Sequence, residues 1–332
     1  MNTLLAPSSV KTLPPPDTMY RALLARDTSY DGVFLAAIKT TGIFCRPGCG
    51  AKKPKRENVE FFASAQDAER RGYRACLRCR PLERKLFDGA DASKWTQDHL
   101  GITPRAADRN RRLGEAFERL RSGASVTEAA GESGFESESG FREAFTRLFG
   151  APPGRAAAAG ADVLRVRWLA TPLGPMLAAA TDEGVCLLEF ADRRAIATQV
   201  ATLRLRFPLP VIPGSNACLD LFAGELEEYW RGERAIFTAP LLAPGTPFQS
   251  AVWKVLQSIP PGETRSYADV ARAVGRPAAV RAVARANGDN RIAVVIPCHR
   301  VIGSDGSMTG YGGKVWRKEW LLEHERKMRG HS

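Results

Sequence analysis

The sequence predicts an α+β protein built from several domains, and three observations support this. Its 332 residues exceed what a single hydrophobic core normally serves. Two stretches interrupt the hydrophobic pattern as linkers do, the polar 89–101 and the segment 156–162, which follows the Pro-Pro-Gly at 152–154. Helical spacing of apolar residues fills the region between the two stretches, whereas short strand-like runs begin at residue 164.

Each region has its own expected structure. Three apolar runs separated by Pro-Leu-Gly and Asp-Glu-Gly turns predict an antiparallel meander over 164–171, 176–180 and 185–190. Helices are expected over 248–258, 267–274 and 278–286. The predicted divisions are a flexible arm (1–17), a cysteine-bearing α/β domain (18–88), a linker (89–101), a helical segment (102–155), a linker (156–162), a strand-rich α/β subdomain (163–245) and a helical subdomain (246–332).

The charge of the chain indicates a polyanionic partner. Its net charge is +12 and its pI about 9.6, which favours nucleic acid as that partner. Residues 250–332 contribute 14 Lys and Arg against 7 Asp and Glu, so much of the positive charge lies in the last subdomain. The apolar runs are too short for a membrane span and the N-terminus does not resemble a signal peptide, so we expect a cytoplasmic protein with no membrane partner.

Four of the seven cysteines form two close pairs, Cys45 with Cys49 and Cys76 with Cys79. Thiol pairs at this spacing are typical of tetrahedral Zn²⁺ sites, so the sequence predicts a zinc ion held by all four. A disulfide pair or chance clustering is the alternative. Four thiolates around Zn²⁺ carry a formal charge of −2, so each sulfur remains electron-rich. Alkylation of one sulfur would reduce the charge to −1 and weaken repulsion from DNA phosphates.

A second candidate site is Cys298, which is followed directly by His299. A thiol becomes a strong nucleophile when a neighbouring base or positive charge helps to form the thiolate. The apolar run at 292–296 predicts a buried strand that would hold this thiol rigidly. A buried structural cysteine is the alternative interpretation, and it is the one expected for Cys186 and Cys218.

The segment 39–49 (Lys-Thr-Thr-Gly-Ile-Phe-Cys-Arg-Pro-Gly-Cys), with Arg56-Glu-Asn-Val59 and Cys76-Leu-Arg-Cys79, resembles the N-terminal domain of the Ada family of adaptive-response proteins. The resemblance covers about residues 18–82. It implies that Cys45 is both a zinc ligand and the acceptor of a methyl group from DNA methylphosphotriesters.

The middle segment resembles part of the DNA-binding domain of AraC-type regulators. Val126-Thr-Glu-Ala-Ala-Gly-Glu-Ser-Gly-Phe135 and the residues that follow match the second helix-turn-helix of that family, which implies that 137–147 is a recognition helix. The first helix-turn-helix is largely absent, because only about twenty residues precede the helix near Ile102. Glu138 and Glu143 oppose phosphate binding, and Gly140 weakens a helix. A helical spacer that binds DNA poorly is therefore an open alternative.

Residues 246–327 resemble the catalytic region of O6-alkylguanine-DNA alkyltransferases, which implies a winged-helix-like alkyltransferase domain. Pro297-Cys298-His299-Arg300-Val301 matches the acceptor motif of that family, so the resemblance makes Cys298 the alkyl acceptor. It further implies that His299 activates the thiol through a water, that Glu325 orients His299, and that Asn290 is a hinge residue that organises the site.

The same resemblance suggests how damaged DNA is bound. The target base must leave the stack before a rigid thiol can reach it. Arg281 matches an arginine finger that replaces the flipped base, Tyr267 a residue that helps to rotate the nucleotide, and Tyr311 a residue that lines the pocket. Gly312 stands where some relatives have serine, so only a contact through the backbone N–H would survive there. The predicted DNA-binding and base-binding residues are Arg281, Tyr267, Tyr311, Val301, Gly312 and Arg300.

We therefore expect a monomeric, zinc-bearing, single-turnover methyltransferase that acts on double-stranded alkylated DNA. Its substrates would be O6-methylguanine, with O4-methylthymine as a further candidate, and methylphosphotriesters. Promoter DNA and RNA polymerase are expected partners if methylation also triggers transcription. The alternatives are a repair protein without regulatory function, a regulator whose cysteines serve only as sensors, and a zinc-stabilised DNA-binding protein without chemistry. The last of these leaves the set Asn290, Cys298, His299 and Glu325 unexplained.

Overall fold

A computed structural model describes residues 13–27, 30–31, 33–79, 81, 89–193, 195–308 and 310–329. The chain divides into two compact units, Met1–Leu86 and Phe87–Ser332. The expected arm over 1–17 lies mostly outside the described residues, and its last two residues already belong to helix α1. Among the described helices, none is both long and apolar enough to cross a bilayer.

The first unit contains a four-stranded sheet in the order β3-β1-β2-β4. Strand β1 pairs antiparallel with β2 and β3, while β4 joins β2 in parallel, with Phe44 opposite Ala75. The residue after each partner is a cysteine, so the register brings Cys45 and Cys76 to the same end of the sheet. The elements of this unit are α1 (Pro16–Ala25), β1 (Leu35–Ile38), β2 (Ile43–Cys45), β3 (Val59–Phe62), α2 (Ala65–Arg70) and β4 (Arg74–Ala75).

The second unit begins with a helix where a linker was expected. Residues Gly89–Leu100 form α3, and Trp95 on this helix is buried. Its Nε1 donates a hydrogen bond to the Ala191 carbonyl at 3.0 Å, and its ring lies edge-to-face against Trp168 at 5.0 Å. The linker prediction over 89–101 was wrong because one face of this polar stretch is apolar and packs on the strand-rich part of the unit.

The linker expected over 156–162 was also misplaced. Pro153–Ala158 form helix α7, which starts with a proline at its first position, where the missing N–H costs little. Ala156 on α7 is buried in the core of the helical segment. The alanine run therefore packs as a helix, and the irregular part of this connection begins only after Ala158.

The helix-turn-helix has the expected form. The predicted recognition helix is α6, whose N-cap Ser137 accepts a hydrogen bond from Gly140 N and whose C-cap Gly150 has φ 72°. Phe117, Phe141 and Phe145 form a buried core that also includes Ile212 from β8. The helical segment thus shares its core with the strands that follow it. Besides α7, the helices of this segment are α4 (Pro104–Arg121), α5 (Val126–Glu132) and α6 (Glu138–Phe149).

The predicted meander is confirmed, with a fourth strand added. The sheet has the order β7-β6-β5-β8, and β8 runs parallel to β5 at its edge. Strand β8 escaped the sequence prediction because it is three residues long and ends in proline. The elements here are β5 (Leu164–Leu169), β6 (Met176–Ala180), β7 (Val185–Phe190), α8 (Ile196–Arg206), β8 (Val211–Pro213) and α9 (Ala217–Arg231).

The last part of the chain is helical and contains the second cysteine site. The three predicted helices appear as α10, α11 and α12, each within two residues of its expected start. A short parallel pair, β9 with β10, brings Val301 beside Arg265. The elements are α10 (Pro247–Gln257), β9 (Arg265–Ser266), α11 (Tyr267–Ala273), α12 (Val280–Gly288), a 3₁₀ turn (Cys298–Arg300), β10 (Val301–Ile302) and α13 (Val315–Arg329).

The apolar run at 292–296 is buried, but it is not a strand. It forms one isolated bridge from Ile292 to Leu188 of β7 and then turns, with Ile296 N donating to the Ile292 carbonyl at 3.0 Å. Val294 has φ 73°, which is unfavourable for a β-branched residue. The residues are apolar because this turn is enclosed by the core, and an apolar run alone does not distinguish a buried turn from a buried strand.

Candidate functional site

The Cys298 thiol is held at the start of the 3₁₀ turn. Its side chain is 7% exposed, and its backbone N–H donates to the Ile296 carbonyl at 2.7 Å. Nδ2 of the buried Asn290 lies 3.1 Å from Sγ of Cys298 and 2.8 Å from the Ile296 carbonyl oxygen. Oδ1 of Asn290 accepts from Ile292 N at 3.0 Å. One amide side chain therefore fixes the turn and donates to the sulfur.

His299, the residue after Cys298, forms a buried pair with Glu325. His299 Nε2 lies 2.9 Å from Glu325 Oε1, and neither side chain has exposed surface. Burial lowers the pKa of His299 below its ordinary value, although Glu325 opposes the shift, so the imidazole is neutral at pH 7. Nδ1 of His299 is buried and has no hydrogen-bond partner among the described residues. The neutral ring can accept a proton there while Glu325 holds the opposite nitrogen.

Several donors surround the Glu325 carboxylate. Arg300 donates to both oxygens, from Nε at 2.9 Å and from Nη2 at 2.8 Å. Tyr229 OH and Gly262 N each donate at 3.0 Å. Burial raises the pKa of Glu325, but His299 and Arg300 outweigh burial and hold it well below the usual range. The carboxylate therefore remains ionised.

This arrangement corrects the prediction that Arg300 binds DNA. Arg300 is 6% exposed, and its guanidinium is occupied by Glu325 and by the Ile259 carbonyl. A side chain committed in this way has no surface left for a phosphate or a base. Arg300 was assigned to DNA because it lies within the acceptor motif, and that pattern does not reveal the direction of a side chain.

The thiol itself is protonated at rest. Burial raises the pKa of Cys298, while the hydrogen bond from Asn290 and the positive charge of Arg193 lower it. Burial also lowers the pKa of the fully enclosed Lys318 to about 8, and its Nζ donates to the Val301 carbonyl at 2.5 Å. A buried thiol that feels the charges of Arg193 and Lys318 and is followed in the chain by a neutral imidazole is suited to losing its proton when an electrophile arrives.

Some residues of this site were missed by the sequence analysis. Glu189 is fully buried on β7 and pairs with Arg193, which reaches the loop that carries Asn290. Their signal was a carboxylate within an otherwise apolar strand, Val-Cys-Leu-Leu-Glu-Phe, with arginine four residues later. Tyr229 and Lys318 gave no such signal, because a tyrosine or a lysine on an amphipathic helix is usually a packing or a surface residue.

The remaining predicted contact residues lie in or near α11, α12 and the loop before α13. Arg281 is exposed in the first turn of α12, and Tyr267 is the first residue of α11. A side chain at Gly310 would begin 3.1 Å from the Tyr267 hydroxyl, so Tyr267 lies against the loop that leads to Tyr311. The Tyr311 hydroxyl is buried without a hydrogen-bond partner among the described residues. Val301 is fully buried, and its backbone carbonyl accepts a hydrogen bond from Lys318 Nζ at 2.5 Å.

The four cysteines of the first unit converge as predicted. Their sulfur atoms all lie within 4.8 Å of one another, and three of the four residues are buried. Burial and the adjacent thiols of Cys49 and Cys76 raise the pKa of Cys45 far above its ordinary value, because thiolates crowded together repel one another. A cation is needed to hold the four as thiolates, and this donor set fits tetrahedral Zn²⁺.

The carboxylates of the recognition helix are paired with arginines of the same helix. Glu138 lies 2.6 Å from Arg142 and Glu143 lies 2.5 Å from Arg147, each at i,i+4 spacing. Thr127 on α5 also donates to Glu138 at 2.9 Å. The charges that seemed to oppose phosphate binding are therefore balanced locally, and Glu138 also helps to connect the two helices of the motif.

Three family models match the chain in succession. The metal binding domain of Ada matches residues 18–82, a helix-turn-helix domain matches 91–159, and the DNA binding domain of 6-O-methylguanine DNA methyltransferase matches 247–327. The helix-turn-helix match begins within the stretch where a linker was expected, in agreement with α3.

Named relatives match both the whole chain and its second half. The bifunctional transcriptional activator/DNA repair enzyme Ada of Escherichia coli strain K12 is 35% identical over 343 residues, covering 93% of this chain and 96% of the relative. The methylated-DNA–protein-cysteine methyltransferase of Methanosarcina barkeri is 41% identical over 155 residues, covering 47% and 92%. A crystal structure of the O6-methylguanine methyltransferase of Mycobacterium tuberculosis is 38% identical, covering 50% and 94%, with a TM-score of 0.44.

The four-cysteine geometry predicts that zinc binding and the fold of the first unit are lost together. Cys49→Ser removes one buried ligand, so this variant should lose zinc to a chelator that the native chain resists, and its first unit should melt at a lower temperature. Elemental analysis after dialysis, combined with calorimetry, measures both effects. Cys218→Ser, outside the cluster, is the matched control and should retain one zinc per chain. Full zinc retention by Cys49→Ser would contradict the assigned ligand set.

The second unit should depend strongly on the charge of Glu325. Glu325→Gln leaves Arg300 buried without its counter-ion, which should destabilise the unit by about 3–5 kcal/mol. Glu323→Gln, on the same helix, alters a carboxylate whose side chain is 51% exposed and should change stability by less than about 0.5 kcal/mol. Urea unfolding of both variants tests the difference. Equal effects would show that the Glu325 network does not stabilise the unit.

Proposed function

Since the chain belongs to the Ada family, we propose that it repairs methylated DNA by irreversible transfer of methyl groups to its own cysteines. In this proposal Cys298 accepts the methyl group of O6-methylguanine, and Cys45 accepts that of methylphosphotriesters. The main support is the buried arrangement in which Asn290 donates to the Cys298 sulfur while Glu325 holds the neutral His299. An inert core cysteine needs neither a donor to its sulfur nor a buried acid–imidazole pair.

The geometry supports a single displacement at Cys298. His299, through a bridging water at its unpartnered Nδ1, takes the thiol proton as the sulfur attacks the methyl carbon. The new S–C bond forms as the C–O6 bond breaks, and guanine leaves with the bonding electrons and is then protonated. Glu325 stabilises the imidazolium that forms, as a buried carboxylate does in other nucleophile–histidine pairs. Since a thioether is not readily cleaved, each chain acts once at this site.

DNA binding must deliver the base to a thiol that is almost fully enclosed. The exposed Arg281 lies at the start of α12, where it can enter the stack in place of an extruded nucleotide. Tyr267 lies beside Gly310 and Tyr311 beside Gly313, so both are near the loop that carries Gly312, where they can contact the flipped base. Gly312 can offer a backbone N–H, whereas the carbonyl of the fully buried Val301 already accepts from Lys318. Arg300 has no part in this contact, since it holds Glu325.

At the other site, Cys45, Cys49, Cys76 and Cys79 would hold zinc, which would keep the four sulfurs deprotonated and nucleophilic. The Cys45 sulfur attacks the methyl carbon of a phosphotriester, the C–O bond breaks, and the restored phosphodiester leaves as an anion. Methylation of Cys45 removes one negative charge from the four sulfurs, which weakens their repulsion from DNA.

Methylation-triggered transcription is the second part of the proposal. It is supported by the intact form of α5 and α6 and by the ion pairs that neutralise the carboxylates of α6. Promoter DNA and RNA polymerase are the partners this function requires. A monomeric state and a cytoplasmic location stay predictions of the sequence, as do the substrate O4-methylthymine and the repair-only alternative.

Stoichiometric self-labelling tests the repair function. Duplex DNA with a labelled methyl group on O6 of guanine should transfer one label per native chain, and peptide mapping should find it on Cys298. Cys298→Ala should transfer none to this region, because the nucleophile is missing. Cys186→Ala removes a thiol from the core of β7 and should label like the native chain. Continued labelling by Cys298→Ala would overturn the assignment.

DNA binding before and after methylation tests regulation. Duplexes are selected from a random-sequence pool with a chain methylated at Cys45 by methylphosphotriester DNA, and then footprinted with methylated and unmethylated protein. We expect a sequence-specific footprint that tightens on methylation of Cys45. Protein methylated only at Cys298 is the control and should bind like the unmodified chain. Binding that is only salt-sensitive and nonspecific in all forms would favour a repair-only protein.

A further inference from the structure

A buried ion pair lies next to the Cys298 site. Glu189, near the end of β7, has no exposed surface, and Arg193 is 7% exposed. The two side chains are in direct contact, and Glu189 Oε1 also accepts from Phe190 N at 2.9 Å. Both residues belong to the strand-rich part of the unit, whereas Cys298 belongs to the helical part. A charge pair this deeply enclosed is costly unless its other contacts compensate for desolvation.

Arg193 extends from this pair to the loop that carries Asn290. Its Nη1 donates to the Asn290 carbonyl at 3.0 Å, and its Nη2 donates to the carbonyl of Gly288, the last residue of α12. These two carbonyls lie on either side of Asp289 in the sequence. The guanidinium therefore fixes the backbone at the end of α12 from the opposite subdomain, and the planar fork of arginine suits two adjacent acceptors.

This backbone determines where the donor to the thiol lies. Asn290 Nδ2 is 3.1 Å from the Cys298 sulfur, so a shift of the Asn290 backbone changes that hydrogen bond. Arg193 also acts on the thiol through its charge. Burial raises the pKa of Cys298, and Arg193 opposes burial more strongly than Glu189 reinforces it. The arginine is thus the dominant charge of the pair at the sulfur.

The glycine at 312 gives an independent indication that this guanidinium must keep its place. A Cβ added at Gly312 would lie 2.9 Å from both Cζ and Nη2 of Arg193. A flexible arginine could move aside, but this one is held by Glu189 and by two carbonyls. Glycine at 312 therefore fits the presence of Arg193 beneath the loop next to Tyr311.

We propose that Arg193 is a positioning residue for methyl transfer, which holds the Asn290 loop in place across the subdomain boundary and supplies a fixed positive charge to the Cys298 thiolate. This inference rests on the proposed function of Cys298. It assigns Glu189 the task of orienting the guanidinium, and it makes Gly312 the residue that leaves room for it.

The competing explanation is that the pair only stabilises the fold. Two variants separate the possibilities. Arg193→Met leaves Glu189 buried and unpaired, which should destabilise the unit strongly and lower the urea concentration at which it unfolds. Glu189→Leu combined with Arg193→Met removes both charges at similar volume, and such replacements are often neutral or stabilising. The double variant therefore restores stability without restoring the contacts to Gly288 and Asn290.

The rate of methyl transfer in a single turnover is the first measurement. If Arg193 positions the site, the double variant should remain about 10- to 100-fold slower than the native chain despite its recovered stability, as expected when reacting groups are misplaced. Arg193→Lys keeps the charge but not the fork, so it should preserve thiol acidity while slowing transfer. A native rate in the stable double variant would overturn the proposal.

Thiol acidity is the second measurement, and it does not depend on methyl transfer. The pH dependence of iodoacetamide labelling at Cys298 reports the pKa of the thiol. That pKa should rise in Arg193→Met and in the double variant, because the stabilising cation is gone. The matched control is Arg317→Met, which removes another buried guanidinium that bonds to Asp192 and to the Leu173 carbonyl. It should reduce stability without a comparable rise in the pKa.

A substitution at 312 tests whether this glycine acts by leaving room for Arg193. Gly312→Ser should slow transfer in the native background, because the new side chain displaces the guanidinium. In the double variant without Arg193, the same substitution should have little further effect. Equal slowing in both backgrounds would show that Gly312 does not act through Arg193. If the native chain transfers no methyl group, the proposed function fails. An unchanged thiol pKa in the arginine variants contradicts only the inference about Arg193 and leaves the proposed function untouched.

Discussion

The side chain of Glu325 has no exposed surface, and the geometry of the second site depends on how that buried charge is compensated. Arg300 supplies the counter-charge, while Tyr229 from α9 and Gly262 before β9 supply further donors. These groups come from separate parts of the chain, so the carboxylate joins α9, α13 and the 3₁₀ turn at one point. A buried charge is tolerated only when its hydrogen bonds are satisfied, and the same requirement fixes the orientation of His299. The hydrogen bonds of Glu325 therefore serve both the stability of the unit and the proposed reaction.

Burial of the Cys298 thiol disfavours its ionised form, and neighbouring groups partly oppose this effect. It raises the pKa of Cys298, which keeps the sulfur protonated and unreactive toward electrophiles in solution. Asn290 and Arg193 favour the thiolate, and the neutral His299 can accept the proton. A nucleophile used once benefits from this balance, since a permanently ionised and exposed thiolate would be consumed by unrelated reagents. Because the sulfur is enclosed, the substrate base must be brought to it. Arg281 on α12 and Tyr267 on α11, to which we assign this task, are separate from the His299–Glu325 pair.

Much of this architecture could be predicted from the sequence because its signals are local. The cysteine spacing predicted the zinc site, the turns predicted the meander, and the resemblance to AraC-type regulators placed a recognition helix over 137–147, close to the observed α6. The errors have a common physical cause, because they depend on tertiary burial. Trp95 lies in a polar stretch whose helical form depends on packing against Trp168, and the run at 292–296 is apolar because it is enclosed. Arg300 was assigned to the wrong partner for the same reason. Arg193 acts on Asn290 across a separation of 97 residues, and no local pattern specifies such a contact.

The packing of the middle helices constrains how they can act. Phe117, Phe141 and Phe145 share a core with Ile212 of β8, and Arg165 from β5 reaches Glu118 on α4 at 2.5 Å. Gly114 on α4 is required by the same interface, because a Cβ there would lie 2.4 Å from the Ile212 side chain. In the part of this segment that the structure describes, α4 is preceded by the helix α3, whose tryptophan packs into the strand-rich part of the unit. The helix α6 is therefore anchored to the sheet whose strand β7 carries Glu189, and a movement of α6 relative to Cys298 would have to break this shared core.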